Sequence, residues 1–125
     1  FKMSSVLRHE DIDINEINDP NNVKVIVDSE NYALYFSRSV IPFCRDVNTA
    51  EVTYYKHIGV YGFTKQALVN FSKLPPSKLE LVEKIEAIRI VENGSRIKMI
   101  ETDFLGVGID TKEDLDLAIS IWSKK

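Results

Sequence analysis

Apolar residues alternate with polar ones, or cluster with aromatic ones, in three segments of the first half of the chain. Residues 23–28, Val-Lys-Val-Ile-Val-Asp, and residues 32–37, Tyr-Ala-Leu-Tyr-Phe-Ser, are rich in β-branched or aromatic side chains, which favour strands. Residues 29–31, Ser-Glu-Asn, lie between them and form a turn signal. We therefore expect a β-hairpin, followed by a third strand at residues 54–63.

Helix caps organise the segment that follows. Thr64 is placed to cap a helix at residues 65–72. Ser77 and Glu80 have the spacing of a capping box, so a second helix is expected to continue to about Arg89. The residues expected to face inward from the first of these helices are Leu68, Val69 and Phe71.

The last part of the chain predicts a strand and a long amphipathic helix. After a turn at Asn93 and Gly94, residues 96–102 are expected to form a fourth strand. Thr111 and Asp114 then open a helix. Its buried face is predicted to consist of Leu115, Ala118, Ile119 and Trp122.

Two less regular segments complete the pattern. Residues 8–22 are acidic and rich in Asn, and they predict a short helix or loop that docks through Ile12, Ile14 and Ile17. Residues 42–53 show little periodicity and predict a loop. A hairpin in the first half and alternating strands and helices in the second predict an α/β fold, with a mixed sheet flanked by helices.

Composition narrows the class of protein. The 125 residues suffice for one domain. The net charge is −3, with basic and acidic residues interspersed, so a nucleic-acid polymer is not an expected partner. Cys44 is the single cysteine, and no apolar run approaches the about 20 residues needed to span a bilayer. These features predict a cytoplasmic protein without a membrane partner.

Candidate chemistry is concentrated in the third strand and just before the last helix. His57 and Tyr61 are separated by an even number of positions, so both rings are expected on one face of an extended strand. Asp110 precedes a helix and offers a hard oxygen ligand. Each residue also has an ordinary structural interpretation, as a packed histidine, a half-buried tyrosine or a carboxylate that favours the helix dipole. Together, these residue types are suited to a site that binds a sugar and a metal ion.

Four ordered segments carry a family resemblance. They are residues 23–28, residues 35–42 (Tyr-Phe-Ser-Arg-Ser-Val-Ile-Pro), residues 56–63 (Lys-His-Ile-Gly-Val-Tyr-Gly-Phe) and residues 108–115 (Gly-Ile-Asp-Thr-Lys-Glu-Asp-Leu). In order and spacing, they resemble the C-terminal half of 3-deoxy-manno-octulosonate cytidylyltransferase, also called CMP-Kdo synthetase. The resemblance covers the chain from about residue 18 onward.

The resemblance implies a nucleotide-diphospho-sugar transferase (Rossmann-like) fold with a β-hairpin insertion that forms a homodimer. It implies a nucleotidyltransferase that transfers CMP from CTP to the sugar acid Kdo, with help from Mg²⁺, for lipopolysaccharide or capsule synthesis. Three residues match sugar-contacting positions: Arg38, His57 and Tyr61. Glu83 and Glu86 match acidic positions of the family's helix motif, and one of them, Glu86 in preference to Glu83, could reach a sugar hydroxyl. Asp110 matches the magnesium-binding aspartate. No residue is assigned a certain catalytic role.

Some of these residues keep simpler interpretations. Arg38 could pair with Asp28 or Glu30 across the hairpin, a contact that contributes little when exposed. Acidic residues recur at every third position of the second predicted helix, as on a solvated face with Lys84 or Arg89 as partners. These acidic residues are Glu80, Glu83 and Glu86.

Differences between this sequence and the family pattern limit the function that we expect of the chain. Ala87 occupies the position of a glutamine in the family's Leu-Glu-Gln-Leu-Arg motif, so a related acid, amino-Kdo or sialic-type, is an alternative substrate. The family's phosphate-holding segments have no counterpart in the sequence. We therefore expect residues 1–125 to be a single domain, the C-terminal half of such an enzyme without its N-terminal CTP-binding half, and inactive alone. A non-catalytic sugar-binding or dimerisation module is the alternative from another class.

Overall fold

The computed structural model describes residues 3–8, 14–46, 52–102, 109 and 111–123. Its strands are β1 (Met3–Arg8), β2 (Lys24–Val27), β3 (Ala33–Ser37), β4 (Tyr55–Gly62) and β5 (Ile97–Glu101). Its helices are α1 (Ile14–Asn18), α2 (Lys65–Ser72), α3 (Lys78–Glu83), α4 (Ala87–Glu92) and α5 (Lys112–Trp122). The predicted hairpin, the third and fourth predicted strands, and the helices after Thr64 and Thr111 are confirmed.

The five strands form one sheet in the order β3-β2-β4-β1-β5. The β2–β3, β2–β4 and β1–β4 pairs are antiparallel, whereas β1 and β5 run parallel. The sheet is therefore mixed, as predicted. Its two edges meet at one corner, where Tyr32 forms a bridge with Lys98 and the Met99 N–H donates to the Asn31 carbonyl at 2.7 Å. This corner holds the hairpin turn against β5.

Strand β1 is an inner strand that the sequence pattern did not predict. It lies between β4 and β5. Its sequence, Met-Ser-Ser-Val-Leu-Arg, is short and lacks the regular alternation that marks a strand. Its place in the sheet depends on pairing with segments far along the chain, which a local pattern cannot report.

The core lies between the sheet and α4, which packs against β3. Burying one large apolar side chain contributes about 1.5–3 kcal/mol, so a cluster of such residues is enough to fix α4 on the hairpin. The largest fully buried side chains are Val25, Phe36, Ile88, Ile90, Ile97 and Met99.

Helix α2 begins as predicted but faces the core differently. The Thr64 hydroxyl accepts a hydrogen bond from the Ala67 N–H at 3.2 Å. Ala67 is buried and Phe71 packs against the core, whereas Leu68 and Val69 are exposed. The prediction that Leu68 and Val69 face inward is therefore wrong. Residues four apart share one side of a helix, and here the Ala67–Phe71 side is the one that meets the core.

The predicted helix that continues to about Arg89 is instead two helices. Ser77 and Glu80 begin α3 as expected, with the Ser77 N–H donating to Glu80 Oε2 at 2.9 Å. Lys84 then adopts a left-handed conformation with φ 57°, which ends a helix. The turn after Lys84 redirects the chain, and Ile85 joins the core that α4 contributes to.

Helix α5 begins as predicted but is not buried as predicted. Thr111 and Asp114 form the capping box, in which Thr111 N–H donates to Asp114 Oδ2 at 2.9 Å. None of the α5 residues is buried, and Leu115, Ile119 and Trp122 are exposed. The predicted buried face is therefore wrong, because the rest of the described structure does not cover this helix. Like the other helices in the described ranges, α5 lacks the length and apolar character that a membrane crossing requires.

Helix α1 docks on the fold through one isoleucine. Ile17 is buried, whereas Ile14 is 64% exposed. The docking prediction is confirmed for Ile17 and wrong for Ile14. Ile12 lies outside the described residues. Ile14 and Ile17 are three residues apart and lie on the same side of α1, so helix geometry alone does not explain why only Ile17 is buried.

Candidate functional site

A bulge in β4 brings His57 and Tyr61 together. Ser5 pairs with Tyr61 and Leu7 pairs with His57, so a step of four residues on β4 faces a step of two on β1. Gly59 lies inside this step with φ 77°, a conformation that glycine adopts without a Cβ clash. In a regular strand, residues four apart are separated by about 13 Å. The bulge shortens this separation, and the ring centroids lie 5.4 Å apart.

The two rings belong to a continuous row of aromatic contacts. His57 packs edge-on against Phe36, with ring centroids 4.9 Å apart. Tyr61 approaches Phe63 at 6.2 Å, and Phe63 approaches Phe71 of α2 at 5.9 Å. Packing on both sides therefore sets the orientation of the two polar rings.

Burial controls the protonation of both rings. It lowers the pKa of His57 to about 4, so at pH 7 the imidazole is neutral and has one N–H donor and one nitrogen acceptor. Burial also raises the pKa of Tyr61 to about 12, and the charge of Glu86 adds to this increase. The phenol is therefore protonated at pH 7. Two neutral polar groups in a half-buried setting are suited to hydrogen bonding with hydroxyl groups.

Glu86 lies close enough to Tyr61 for its charge to act on the phenol. It is exposed and precedes the first residue of α4. It also borders an open cleft of about 240 Å³, whose lining residues do not include the two rings. Glu86 therefore acts on Tyr61 of the ring pair through its charge and also lines the cleft. The other lining residues are Glu80, Leu81, Lys84 and Ile85.

The guanidinium of Arg38 is bound to three backbone carbonyls. Nε donates to Glu83 at 2.7 Å, Nη1 to Pro20 at 2.9 Å, and Nη2 to Lys84 at 3.2 Å. These bonds join the end of β3 to the turn between α3 and α4. They use three of the five N–H donors of the side chain.

The acidic residues of the hairpin turn pair with a different arginine. Arg96 Nη2 lies 3.3 Å from Asp28 Oδ2 and 3.2 Å from Glu30 Oε2. The guanidinium carbon of Arg96 is also 3.5 Å from the centroid of the Tyr32 ring. The interpretation in which Arg38 pairs with these two acids is therefore wrong.

Glu83 holds the same junction from the helix side. Its carboxylate accepts hydrogen bonds from the Ser37 hydroxyl at 2.6 Å and the Arg38 N–H at 3.0 Å. Burial raises the pKa of this carboxyl, but these hydrogen bonds and the charge of Arg38 outweigh burial, and the pKa is lowered overall. The sequence placed Glu83 on a solvated helix face, whereas the structure uses it to connect α3 with β3.

Glu80 also does not lie on a solvated helix face, contrary to the prediction. It is buried, and its Oε2 accepts a hydrogen bond from Arg89 Nε at 2.7 Å. The guanidinium of Arg89 in turn lies over the Phe71 ring. Of the three acidic residues in this region, Glu80, Glu83 and Glu86, only Glu86 is exposed.

Lys24 is a buried cation that the sequence analysis did not single out. It is 2% exposed, and its ammonium donates to the carbonyls of Asp19 at 3.0 Å, Asn22 at 2.6 Å and Arg38. Burial lowers its pKa. The sequence feature that could have identified Lys24 is its position as the one charged residue of an otherwise apolar strand, β2. Through these three hydrogen bonds, Lys24 connects the loop before β2 with Arg38, the residue that follows β3.

The predicted metal ligand lies outside the described residues. This residue is Asp110, and its role as a metal ligand stays a prediction. Within the described ranges, no group of three His, Cys, Asp or Glu side chains could hold a metal ion.

Comparison with known proteins decides the family. The family pattern described as cytidylyltransferase matches residues 4–98. A curated 3-deoxy-manno-octulosonate cytidylyltransferase from Flavobacterium johnsoniae is 58% identical over 103 residues, which make up 82% of this chain and 42% of the relative. The chain belongs to the CMP-Kdo synthetase family. The family predicted from the four sequence segments is confirmed, and the match begins at residue 4, nearer to the start of the chain than those segments indicated.

A second relative and a solved structure extend the match to nearly the whole chain. A curated 3-deoxy-manno-octulosonate cytidylyltransferase from Fusobacterium nucleatum is 42% identical over 120 residues, covering 96% of this chain and 48% of the relative. A solved structure of CMP:2-keto-3-deoxy-manno-octonic acid synthetase complexed with CTP matches with a TM-score of 0.88 and 34% identity. It covers 98% of this chain and 49% of that chain. The chain therefore spans about half the length of the CMP-Kdo synthetases it matches, and its mixed α/β architecture is theirs.

Proposed function

We propose that this chain is the sugar-acid-binding and dimerisation part of a cytidylyltransferase that forms CMP-Kdo and pyrophosphate from CTP and Kdo. The observation that carries the proposal is the contact between the neutral imidazole of His57 and the phenol of Tyr61, beside the exposed carboxylate of Glu86. Membership of the family supports the class of reaction. In this proposal, CTP is bound by the other half of the enzyme.

The sugar hydroxyls are held by the ring pair and Glu86. The imidazole N–H of His57 and the hydroxyl of Tyr61 donate hydrogen bonds, and the Glu86 carboxylate accepts one. Contacts with Phe36 and Phe63 already restrict both rings. Little conformational entropy is therefore lost by these side chains when the sugar binds.

We assign the carboxylate of the sugar acid to Arg38. Two of its five N–H donors have no hydrogen-bond partner among the described residues. A guanidinium bonds a carboxylate through short, charge-assisted hydrogen bonds. Because three backbone carbonyls restrain the guanidinium, its charge is held in one place beside the turn that leads to Glu86.

These contacts orient the anomeric hydroxyl for reaction. Its oxygen forms a bond to the α-phosphorus of CTP while the bond to pyrophosphate breaks, and the hydroxyl proton is released. The contribution of this chain is to position the nucleophile, which needs no covalent intermediate. Mg²⁺, when bound, offsets charge on the phosphates, and Asp110 is the residue of this chain that we propose as its ligand.

The β2–β3 hairpin is the proposed dimerisation element. Strand β3 is at one edge of the sheet, and Leu34 on this strand is 53% exposed. An edge strand with an exposed apolar residue is able to pair with a second copy of the chain. We therefore include a homodimer in the proposal.

A related sugar acid is the second candidate substrate. Ala87 is 2% exposed and belongs to the core, so this position offers no side-chain amide to a sugar. Amino-Kdo or a sialic-type acid would then be accepted in place of Kdo. A sugar-binding or dimerisation module without catalysis is the third candidate.

An assay of pyrophosphate release tests the proposal. This chain, joined to the unmatched segment of the Flavobacterium johnsoniae relative, is supplied with CTP, Mg²⁺ and each sugar acid in turn. Kdo is expected to be the best substrate, and the chain alone is expected to release no pyrophosphate. Tyr61→Phe and Glu86→Gln should each lower kcat/KM about tenfold or more, equivalent to about 1.4 kcal/mol of lost transition-state stabilisation.

The control is Val60→Ala, because Val60 is 58% exposed on the same strand and should not change kcat/KM. Release confined to sialic acid would select the second candidate. Binding of Kdo without release from the joined enzyme would favour the non-catalytic module.

A further inference from the structure

We propose that Glu83 is a positioning residue, which sets the place of the Arg38 guanidinium and so determines how tightly the sugar carboxylate is held. The inference rests on the proposed function, because it takes Arg38 as the residue that binds that carboxylate. In this role Glu83 acts on the sugar through Arg38 and does not contact a sugar hydroxyl itself.

Glu83 and Arg38 bind each other twice, in opposite directions. The Arg38 N–H donates to Glu83 Oε2 at 3.0 Å, and Arg38 Nε donates to the Glu83 carbonyl at 2.7 Å. The backbone of each residue is therefore bound by the side chain of the other. This reciprocal pair restrains both ends of Arg38, the backbone through the carboxylate and the guanidinium through the carbonyl.

The Glu83 carboxylate binds the end of β3 with both of its oxygens. Oε1 accepts a hydrogen bond from the Ser37 hydroxyl at 2.6 Å, and Ser37 is 3% exposed. Hydrogen bonds to an ionised carboxylate are shorter and stronger than those between neutral groups. Because the carboxylate spans donors on two consecutive residues, it fixes the direction in which the chain leaves β3.

Lys24 holds Arg38 from the opposite side. Its ammonium donates to the Arg38 carbonyl, and the positive charges of the two side chains repel each other. The negative charge of Glu83 acts on both cations. Removing it would leave their repulsion less compensated in a partly buried setting. Lys24 is 2% exposed, so Arg38, the more exposed of the two, would be the one to move.

The test compares two ligands that differ only in the group that Arg38 binds. They are Kdo and the same sugar with its carboxylate reduced to a primary alcohol, and calorimetry measures the Kd of the joined enzyme for each. Glu83→Gln keeps the size of the side chain and removes its charge. We expect the Kd for Kdo to rise about tenfold and the Kd for the alcohol to stay unchanged. General damage to the fold would weaken both ligands equally.

Turnover and a coupled variant separate positioning from other effects. In Glu83→Gln, KM for Kdo should rise and kcat should stay unchanged, since the carboxylate is bound both before and during the reaction. Arg38→Met should remove the preference for Kdo over the alcohol. Adding Glu83→Gln to Arg38→Met should weaken Kdo no further, because the two residues act as one unit.

Glu92→Gln is the matched control. Glu92 is an exposed carboxylate that also accepts a backbone N–H, from Leu79 at 3.1 Å, at the other end of α3. Both Kd values should stay unchanged in this variant. If Glu83→Gln does not fold, Glu83→Asp takes its place. Its side chain is one methylene shorter and does not reach both donors, so it should give the same selective loss.

A measurement without ligand separates this inference from the proposed function. In the chain alone, NMR should show that the Arg38 Nε hydrogen exchanges with water several-fold faster in Glu83→Gln than in Glu92→Gln. Equal exchange rates, or equal weakening of Kdo and the alcohol, would overturn the role of Glu83. An original enzyme that does not prefer Kdo to the alcohol would overturn Arg38 as the carboxylate ligand, and with it the link between Glu83 and the sugar.

Discussion

Gly59 determines the geometry of the candidate site at the scale of single residues. Its φ of 77° allows the bulge that places the rings of His57 and Tyr61 in contact. No atom lies within 4 Å of the position that a Cβ would occupy, so a substitution would be opposed by backbone strain and not by a clash. The sequence predicts that both rings share one face. Their contact could not be predicted, because the bulge depends on the register with β1.

Gly59→Ala should therefore separate binding from stability. We expect the free energy of unfolding to fall by about 1 kcal/mol, and Kdo binding to weaken because the rings move apart. Gly94→Ala is the matched control, since Gly94 has φ 76° and equally open surroundings. It should cost the same stability and leave Kdo binding unchanged. Urea unfolding and calorimetric titration measure the two effects, and equal loss of binding in both variants would contradict the role of the bulge.

The buried imidazole of His57 makes stability depend on pH. Burial lowers its pKa from 6.5 to about 4. Between these values the unfolded chain binds a proton that the folded chain does not, so the free energy of unfolding falls as pH is lowered from 6.5 to 4. The loss should be on the order of 2 kcal/mol, after allowance for the partial exposure of the ring.

Urea unfolding at several pH values tests this dependence. The His57→Phe variant should lose this part of the pH dependence, whereas Tyr61→Phe should keep it. A His57→Phe chain with the same slope as the original between pH 6.5 and 4 would show that another group is responsible.

At the scale of elements, helix starts were easier to predict than helix ends. Thr64, Ser77 and Thr111 mark the starts of α2, α3 and α5, because capping is a local interaction within a few residues. The end of α3 depends on Arg38, which bonds the carbonyls of Glu83 and Lys84 from a distant part of the chain. No pattern within the helix reports that contact.

Glycine substitution distinguishes two helices from one. In the structure Lys84 is left-handed, so Lys84→Gly should raise the free energy of unfolding by up to about 1 kcal/mol. In a continuous helix the same change would lower it by about 1 kcal/mol. Leu81→Gly, at an exposed position inside α3, is the control and should lower it. Chemical denaturation gives the sign, and destabilisation by Lys84→Gly would contradict the break.

At the scale of the whole molecule, pairings between distant segments account for what the sequence did not predict. The inner position of β1 follows from contacts with β4 and β5. The pattern of α5 predicts a buried apolar face, but the described part of the chain leaves this face exposed. The α/β class and the family segments were predictable, because local sequence encodes the strands, helices and turns that carry them. The parallel pair that makes the sheet mixed, β1–β5, involves a strand that the pattern did not predict. Four residues stay predicted contacts of the sugar acid, supported by their placement: Arg38, His57, Tyr61 and Glu86. Asp110 lies beyond the part of the chain that the structure describes.

The proposed function depends most on the ring pair as the place where the sugar acid binds. The measurement that tests this directly is an NMR titration of the chain with Kdo at pH 7, following the imidazole signals of His57, the ring signals of Tyr61 and, as a reference, the amide of Gly94. We predict saturable shifts at His57 and Tyr61, a constant Gly94 signal, and an imidazole that stays neutral throughout because its pKa is about 4. Saturable Kdo binding that leaves both rings unchanged, or no binding by the chain or by its joined form, would contradict the proposed function.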